Sequence, residues 1–180
     1  MEVILGNICY PKSQALIIPG NTKGTMSRGR AAKIVKSGLT GISKEAKDFT
    51  SKNKIEVGQS FTTGPGRLNR RGLKKIYHAV VKRLQSDFTS IHMLKKSLRS
   101  AFRAAIADGM KSIVVCAIGI DHGGLDKRTV AMITYEICKA YDDSIKIKII
   151  DSNEEFINEV NNFLKKGKRD GVSKKTSFST

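Results

Sequence analysis

Strand-type and helix-type patterns alternate along the chain, and this alternation limits the fold more than any other feature. Residues 113–118 form a continuous apolar run rich in β-branched side chains and bounded by Gly119, typical of a strand buried on both faces. Residues 145–149 alternate isoleucine with lysine, which predicts a strand with one face near solvent. Apolar stripes of helical period occupy residues 91–106 and 130–141. The order predicts an α/β protein with a mostly parallel sheet covered on both faces.

Polar residues and glycines mark where these elements begin and end. Asp108-Gly109 is expected to end the first helix, and Asp126 is a candidate N-cap for the second. Ser152 to Glu155 has the spacing of a capping box, which predicts a C-terminal helix. A short strand is predicted over Gln14–Ile18, stopped by Pro19-Gly20.

Two of the predicted strands open into glycine-containing loops, at residues 19–29 and 119–124. In α/β sheets, ligands bind outside the carboxyl ends of the strands, and a glycine loop there presents backbone N–H groups to a phosphate. Ordinary turn chemistry is the alternative for either loop alone. Neither loop has the dinucleotide fingerprint or the P-loop pattern, so NAD-dependent hydride transfer and nucleoside triphosphate hydrolysis are not expected.

The charge of the chain is strongly unbalanced, with 33 Lys and Arg against 16 Asp and Glu and a net charge of +17. Asp87 is the only acid between Arg67 and Arg103. Such a distribution attracts polyanions, of which nucleic acid is the commonest, although a solvated surface is the alternative. With no Trp and few other aromatic residues, phosphate contacts are favoured over base stacking. The candidate nucleic-acid contacts are Arg67, Arg70, Arg71, Lys74, Lys75, Arg99, Arg103, Lys168 and Arg169.

Composition also predicts the domain organisation. Residues 1–166 are expected to form one domain, and residues 167–180, where apolar side chains nearly vanish, a flexible basic tail. No apolar run is long enough for a transmembrane helix, and no secretory signal is visible at the N-terminus, so no membrane partner is expected.

Cysteine and histidine usage bears on location and on metals. The three cysteines, Cys9, Cys116 and Cys138, are odd in number and unclustered, which favours a reducing compartment. A cytoplasmic location is therefore expected, and a nuclear or virus-encoded protein is compatible with the same pattern. The spacing of cysteines and histidines predicts no metal site, and no cofactor is expected.

Taken together and in order, these segments resemble the macro domain family over about residues 2–165. The final Asn of the family's Asp-Ala-Ile-Val-Asn-Ala-Ala-Asn strand is kept as Asn21, and the family's Gly-Asp-Ile is similar to residues 6–8. The family's glycine run and helix match residues 26–34 in part. The other matching segments are residues 57–64 and 75–80, which resemble the central hairpin, and residues 111–118, which are similar to the Ser-Ile-Ala-Phe-Pro-Ala-Ile strand.

The resemblance implies a three-layer α/β/α sandwich with a mixed, mostly parallel sheet and a cleft for ADP-ribose. It places Asn7 where the family has the acid that contacts the adenine amine, and Asn21 near the distal ribose, with Gly29 beside it. Residues 119–124 replace the Ser-Thr-Gly-Ile-Tyr-Gly loop around the diphosphate, without the ring that covers the distal ribose. The ligand-binding residues implied in this way are Asn7, Ile8, Gly20, Asn21, Gly29, Gly119, Ile120, Asp121, His122, Gly123 and Gly124.

Ala31 occupies the position where many family hydrolases carry a water-activating acid, so no catalytic residue is predicted and an enzyme is not favoured. The leading hypothesis is a non-hydrolytic module that binds ADP-ribose, a related nucleotide or poly(ADP-ribose). An RNA- or ribonucleoprotein-binding protein, which uses the basic face and tail on a macro fold with a degraded pocket, is the alternative. Hydrolysis of an ADP-ribosyl bond is the third and weakest hypothesis.

Overall fold

A computed structural model describes residues 1–9, 11–37 and 40–175, with the backbone alone for Thr40, Asp121 and residues 168–175. The strands are β1 (Glu2–Leu5), β2 (Ala15–Asn21), β3 (Ser60–Thr63), β4 (Lys75–Lys82), β5 (Ser112–Val115) and β6 (Lys146–Asp151). The helices are α1 (Gly29–Lys36), α2 (Thr40–Lys52), α3 (Ile91–Ala107), α4 (Lys127–Tyr141) and α5 (Glu154–Lys175). Short 3₁₀ turns lie at Gly66–Arg71 and Asp121–Gly123.

The six strands form one mixed sheet in the order β1-β6-β5-β2-β4-β3. Every neighbouring pair is parallel except β3 and β4, which form the antiparallel hairpin at one edge. The connections from β2 to β4 and from β4 to β5 run in opposite directions across the sheet. Because such crossovers are right-handed, their helices cover opposite faces. The α/β/α sandwich with a mostly parallel sheet is therefore confirmed.

The strand predicted before Pro19-Gly20 does not stop there, since both residues lie inside β2. Pairing between β2 and β5 ends at Ile17, whereas pairing with β4 continues to Asn21. The final residues of β2 therefore have a strand neighbour on one side only. Proline has no N–H to donate, and it is tolerated here because no strand pairs with β2 on its β5 side at this point. The extension carries Asn21 to the carboxyl edge of the sheet.

Most predicted helix ends agree with the structure, with one correction. Asp126 caps α4 by accepting a hydrogen bond from the Thr129 N–H at 2.8 Å, and Asp108 is the C-cap of α3. The predicted capping box at Ser152 is wrong: the Asn153 side chain accepts from the Phe156 N–H at 2.9 Å instead. Ser152 accepts a hydrogen bond from Lys33.

The C-terminal boundary at residue 166 stays a prediction. The backbone of α5 continues as helix to Lys175, and residues 176–180 lie outside the described part of the chain. Within the described residues, the helices are too short or too polar to cross a membrane.

A histidine lies in the core of the β3–β4 hairpin. His78 is 1% exposed, its ring stacks on Phe61 with centroids 4.4 Å apart, and its Nε2 shares a 2.9 Å hydrogen bond with the Thr63 hydroxyl. Burial lowers the pKa of His78 to about 3, because charging the ring there costs solvation. His78 is therefore neutral in the folded protein near neutral pH.

This burial predicts acid destabilisation. Below pH 6.5 the unfolded chain protonates His78 while the folded chain does not, so the free energy of unfolding falls as pH drops from 6.5 toward 3. The expected loss is about 2 kcal/mol at pH 5 relative to pH 7.5. Urea denaturation at the two pH values measures it. The loss should largely vanish in His78→Gln and persist in the control His92→Gln, where the histidine is exposed. An equal loss in wild type and His78→Gln would contradict this assignment.

Candidate functional site

A cavity lies at the carboxyl edge of the sheet, where β2, β4 and β5 end. Its lining includes the end of β2, the loop before α1, the end of β4 and the loop that follows β5. The two glycine loops singled out in the sequence face each other across it. The His122 ring lies close to Gly29: a methyl group in place of the Gly29 hydrogen would be in van der Waals contact with His122 Cδ2, at 3.8 Å. The cavity volume is about 60 Å³, well below the roughly 300 Å³ usual for ligand pockets.

Asn21 organises the wall of this cavity. Its side-chain oxygen accepts hydrogen bonds from the Lys23 N–H, the Thr25 N–H and the Thr25 hydroxyl, at 3.1, 3.2 and 3.1 Å. Its amide nitrogen donates to the Thr25 carbonyl at 2.8 Å. Because Asn21 is 3% exposed and all these bonds lie within the loop, its role in this structure is to shape residues 22–25.

A second, wider cavity of about 340 Å³ lies beside the first. Asn7 and Ile8 line it, together with Lys33 and Lys36 of α1. The Asn7 side-chain oxygen accepts a hydrogen bond from the Cys9 N–H at 2.9 Å, which folds the segment after β1 into a turn.

A buried ion pair stands between the two cavities. Arg30 lines both of them and donates from Nε and Nη2 to the Asp151 carboxylate, the second bond at 2.8 Å. Asp151 also accepts from the Ala117 N–H at 3.0 Å and the Asn153 N–H at 2.9 Å. Arg30 is 9% exposed and Asp151 is 1% exposed. The carboxylate thus joins α1, the end of β5 and the end of β6.

The first cavity is cationic. Arg28, Arg30 and Lys82 line it, and no described carboxylate does. Lys82 Nζ donates to the carbonyls of Gln85 and His122, at 2.8 and 3.2 Å, which ties the end of β4 to the loop opposite. Burial lowers the pKa of Lys82, and the charge of Arg28 lowers it further, whereas Asp87 opposes both. An anionic group in the cavity would relieve the repulsion between these cations.

The structure brings most of the residues implied by the family resemblance to these cavities. Seven of them line the first: Gly20, Asn21, Gly29, Gly119, Ile120, His122 and Gly123. Asn7 and Ile8 line the second. Gly124 is not in either lining and lies against the exposed ring of Phe88. The Asp121 side chain lies outside the described residues.

The lining residues that sequence reasoning missed include the polar side chains of Thr25, Arg30, Lys82 and Gln85. Lys82 carried a usable signal, because a lysine at the carboxyl end of an apolar strand lies where ligands bind in α/β sheets. Arg30 carried none, since its partner Asp151 is 121 residues away in sequence.

The predicted nucleic-acid residues lie elsewhere. Arg67, Arg70 and Arg71 belong to the 3₁₀ turn that leads into the amino end of β4, and Lys74 follows it. Arg99 and Arg103 are exposed on α3, and Lys75 pairs with Asp108. Because β4 rises about 23 Å from Lys75 to Lys82, this region and the cavities lie at opposite ends of the sheet. Lys168 and Arg169 lie on the α5 backbone, and their side chains are outside the described residues.

The cysteines are core residues. Cys9, Cys116 and Cys138 are buried as free thiols, and burial raises the pKa of Cys116 to about 12. No group of three or more His, Cys, Asp or Glu in the described ranges could hold a metal ion.

With the fold and the cavities established, comparison with known proteins gives the class. A family model described as Macro domain matches residues 18–134, more than half of the chain. The chain belongs to the macro domain family. It is also 25% identical over 159 residues to a protein of Aquifex aeolicus (strain VF5) described as uncharacterized, across 87% of this chain and 93% of that protein.

Solved macrodomains share the fold at low sequence identity. The Oceanobacillus iheyensis macrodomain with ADP is 15% identical with a TM-score of 0.79, covering 93% of this chain and 91% of that one. Thermosipho africanus DarTG in complex with ADP-ribose is 21% identical with a TM-score of 0.67, covering 82% of this chain and 40% of that one. At these identities the likeness shows the fold.

The buried ion pair predicts an asymmetric response to mutation. Asp151→Asn should destabilise the protein by about 3–5 kcal/mol, because it removes the carboxylate charge that compensates the buried guanidinium of Arg30. Arg30→Met with Asp151→Asn should recover a large part of that loss, since no buried charge then remains at the pair. Urea denaturation of the single and double variants measures both effects. Equal stability of Asp151→Asn and wild type would contradict the role given to the pair.

Proposed function

We propose that this chain is a macro-domain module that binds ADP-ribose, or the ADP-ribose end of a larger molecule, without hydrolysing it. The observation that carries the proposal is the pair of adjacent cavities at the carboxyl edge of the sheet, which share Arg30 as a common wall. Two connected compartments suit a ligand with a base at one end, a ribose at the other and a diphosphate between them. Family membership and the ADP-ribose held by Thermosipho africanus DarTG support the same ligand.

Each part of the ligand has residues of suitable chemistry. The wider cavity offers Ile8 as an apolar surface and the Asn7 amide as a hydrogen-bonding group for a base edge. The narrower cavity offers Arg28 and Lys82 as cations for the diphosphate, together with backbone groups of Gly119 and Gly123. The ring of His122, which lies close to Gly29, takes the place of the aromatic ring that covers the distal ribose in the family and is missing here.

The absence of hydrolysis is proposed on chemical grounds. Ala31, in the lining of the first cavity, has a methyl group that cannot activate water. The buried carboxylate of Asp151 accepts hydrogen bonds from Arg30 and from two backbone N–H groups. Its oxygens are therefore not available to accept a proton from water as a general base.

Binding is tested by calorimetric titration of ADP-ribose at near-physiological salt. A saturable one-to-one isotherm is expected. Arg28→Ala should weaken it about tenfold, since about 1.4 kcal/mol is a modest loss for a charge-assisted contact to phosphate. Lys23→Ala is the matched control: Lys23 is an exposed cation in the same loop but does not line the first cavity, so the change should stay within about twofold.

Asn21→Ala tests the wall of the cavity separately. It removes the hydrogen bonds that shape residues 22–25, so binding should weaken more than in Arg28→Ala, while the far-ultraviolet circular dichroism stays that of wild type. A folded wild-type protein that gives no heat with ADP-ribose would overturn the proposed ligand. Equal losses in Arg28→Ala and Lys23→Ala would overturn the assignment of the cavity.

The lack of hydrolysis is tested with a mono-ADP-ribosylated protein as substrate. Chromatography of the supernatant after long incubation should show no more free ADP-ribose than the buffer control. Release that depends on enzyme concentration and is lost in Asn21→Ala would establish a hydrolase and contradict the proposal.

A further inference from the structure

The exposed arginines and lysines at the amino end of β4 form a surface that the ADP-ribose proposal leaves unused. We name it the basic end, made of Arg67, Arg70, Lys74, Arg99 and Arg103. Each of these side chains is exposed, and none forms an ion pair within the part of the chain that the structure describes. A cluster of uncompensated cations concentrates polyanions around it.

The fold places the 66–74 segment and the C-terminal end of α3 near the start of β4. Leu68 and Leu73 are buried and anchor the segment between β3 and β4, which leaves Arg67, Arg70 and Lys74 pointing to solvent. The hydrogen bonds of Asp108 to Lys75 Nζ at 2.9 Å and to the Tyr77 hydroxyl at 2.7 Å fix the end of α3 beside the start of β4.

On α3, the exposed basic side chains follow one stripe. Lys96, Arg99 and Arg103 are spaced three and four residues apart, so they lie on the same side of the helix at intervals of about 4.5 and 6 Å. Arg103 is five residues before Asp108, which places it about 8 Å along the helix axis from the junction with β4.

The local acids are already engaged. Neither α3 nor residues 66–74 contain Asp or Glu. At this end of the hairpin, the Glu45 carboxylate accepts hydrogen bonds from the Gly64 N–H at 2.9 and 3.0 Å, and Asp108 is held by Lys75 and Tyr77. Lys75 compensates the charge of Asp108, whereas Glu45 keeps its negative charge, so the balance between the five cations of the basic end and these acids stays positive.

We propose that the basic end binds the phosphate backbone of single-stranded nucleic acid, at a site separate from the ADP-ribose cavities. The five defining side chains are cations and none is aromatic, so the contacts are with phosphates and the binding is independent of base sequence. Because the cavities lie at the carboxyl end of β4 and the basic end includes none of their lining residues, both ligands bind at once and neither changes the affinity of the other. The inference does not depend on the proposed ADP-ribose function.

The test is fluorescence anisotropy with a labelled oligouridylate of about twelve nucleotides, a probe that contains no adenine. The wild-type Kd should be on the order of 10⁻⁵ M at about 0.1 M salt and should rise steeply with salt. Arg99→Ala with Arg103→Ala removes two phosphate contacts, so the slope of log K against log salt should become shallower by about 1.4. If wild type and variant bind equally at 1 M salt, a slope that is shallower by about 1.4 lowers the affinity at about 0.1 M salt by roughly 25-fold.

The Arg99→Ala, Arg103→Ala variant should remain folded, because both arginines are exposed on α3 and alanine has a high helix propensity. Arg67→Ala with Arg70→Ala should give a similar loss from the other half of the surface. The matched control is Lys44→Ala with Lys47→Ala on α2, which removes the same charge from exposed positions next to Glu45 and Asp48. That control should change the affinity by no more than about twofold.

Several outcomes would overturn the inference. Equal losses in the control and in the α3 variant would show attraction by net charge alone, and a wild-type protein that does not bind the probe would remove the site. Binding of polyglutamate as tight as that of the probe would replace nucleic acid by acidic protein. Displacement of the probe by ADP-ribose would place it in the cavities. If the probe binds and ADP-ribose does not, the proposed function fails and the basic end stands; the reverse result rejects the basic end alone.

Discussion

The pairing of Arg30 with Asp151 is the interaction on which the site depends. One carboxylate accepts from the first turn of α1, from the N–H that follows β5 and from the N–H that precedes α5. A buried carboxylate is stable only when its oxygens are satisfied in this way, so the three segments are fixed in one arrangement. The same pair lies where the two cavities meet, since Arg30 lines both of them.

Loop positioning around the first cavity relies on polar side chains that face inward. Asn21 holds residues 22–25, and Lys82 links the β4 end to the loop opposite. Thr89 adds a third tie, because its N–H donates to the Gly123 carbonyl at 3.0 Å and its hydroxyl to the Val81 carbonyl at 2.6 Å. Together these bonds hold the loops around the first cavity in one arrangement.

Separation of function follows from the direction of the strands. Parallel strands bring all their carboxyl ends to one edge, and the loops there form the cavities. The antiparallel hairpin β3–β4 turns at the amino end of β4, so the arginines of that turn, at residues 66–71, lie away from the cavities. A single small domain thereby has an enclosed pair of cavities at one end of the strands and an open cationic surface that shares no lining residue with them.

By itself, the sequence determined the α/β class, the alternation of strand and helix patterns along the chain, and the two glycine loops, since these follow from local period and chain order. The stripe at 91–106 is one example, and the run at 113–118 is another, although the strand within it ends at Val115. It also determined the N-cap at Asp126, because capping acts over three residues. Tertiary structure alone decided that Pro19 lies within β2, that Arg30 meets Asp151, and that Lys82 faces the cavity. Those facts depend on which strands are neighbours and where each ladder ends, and contacts between residues far apart in sequence leave no local pattern to read.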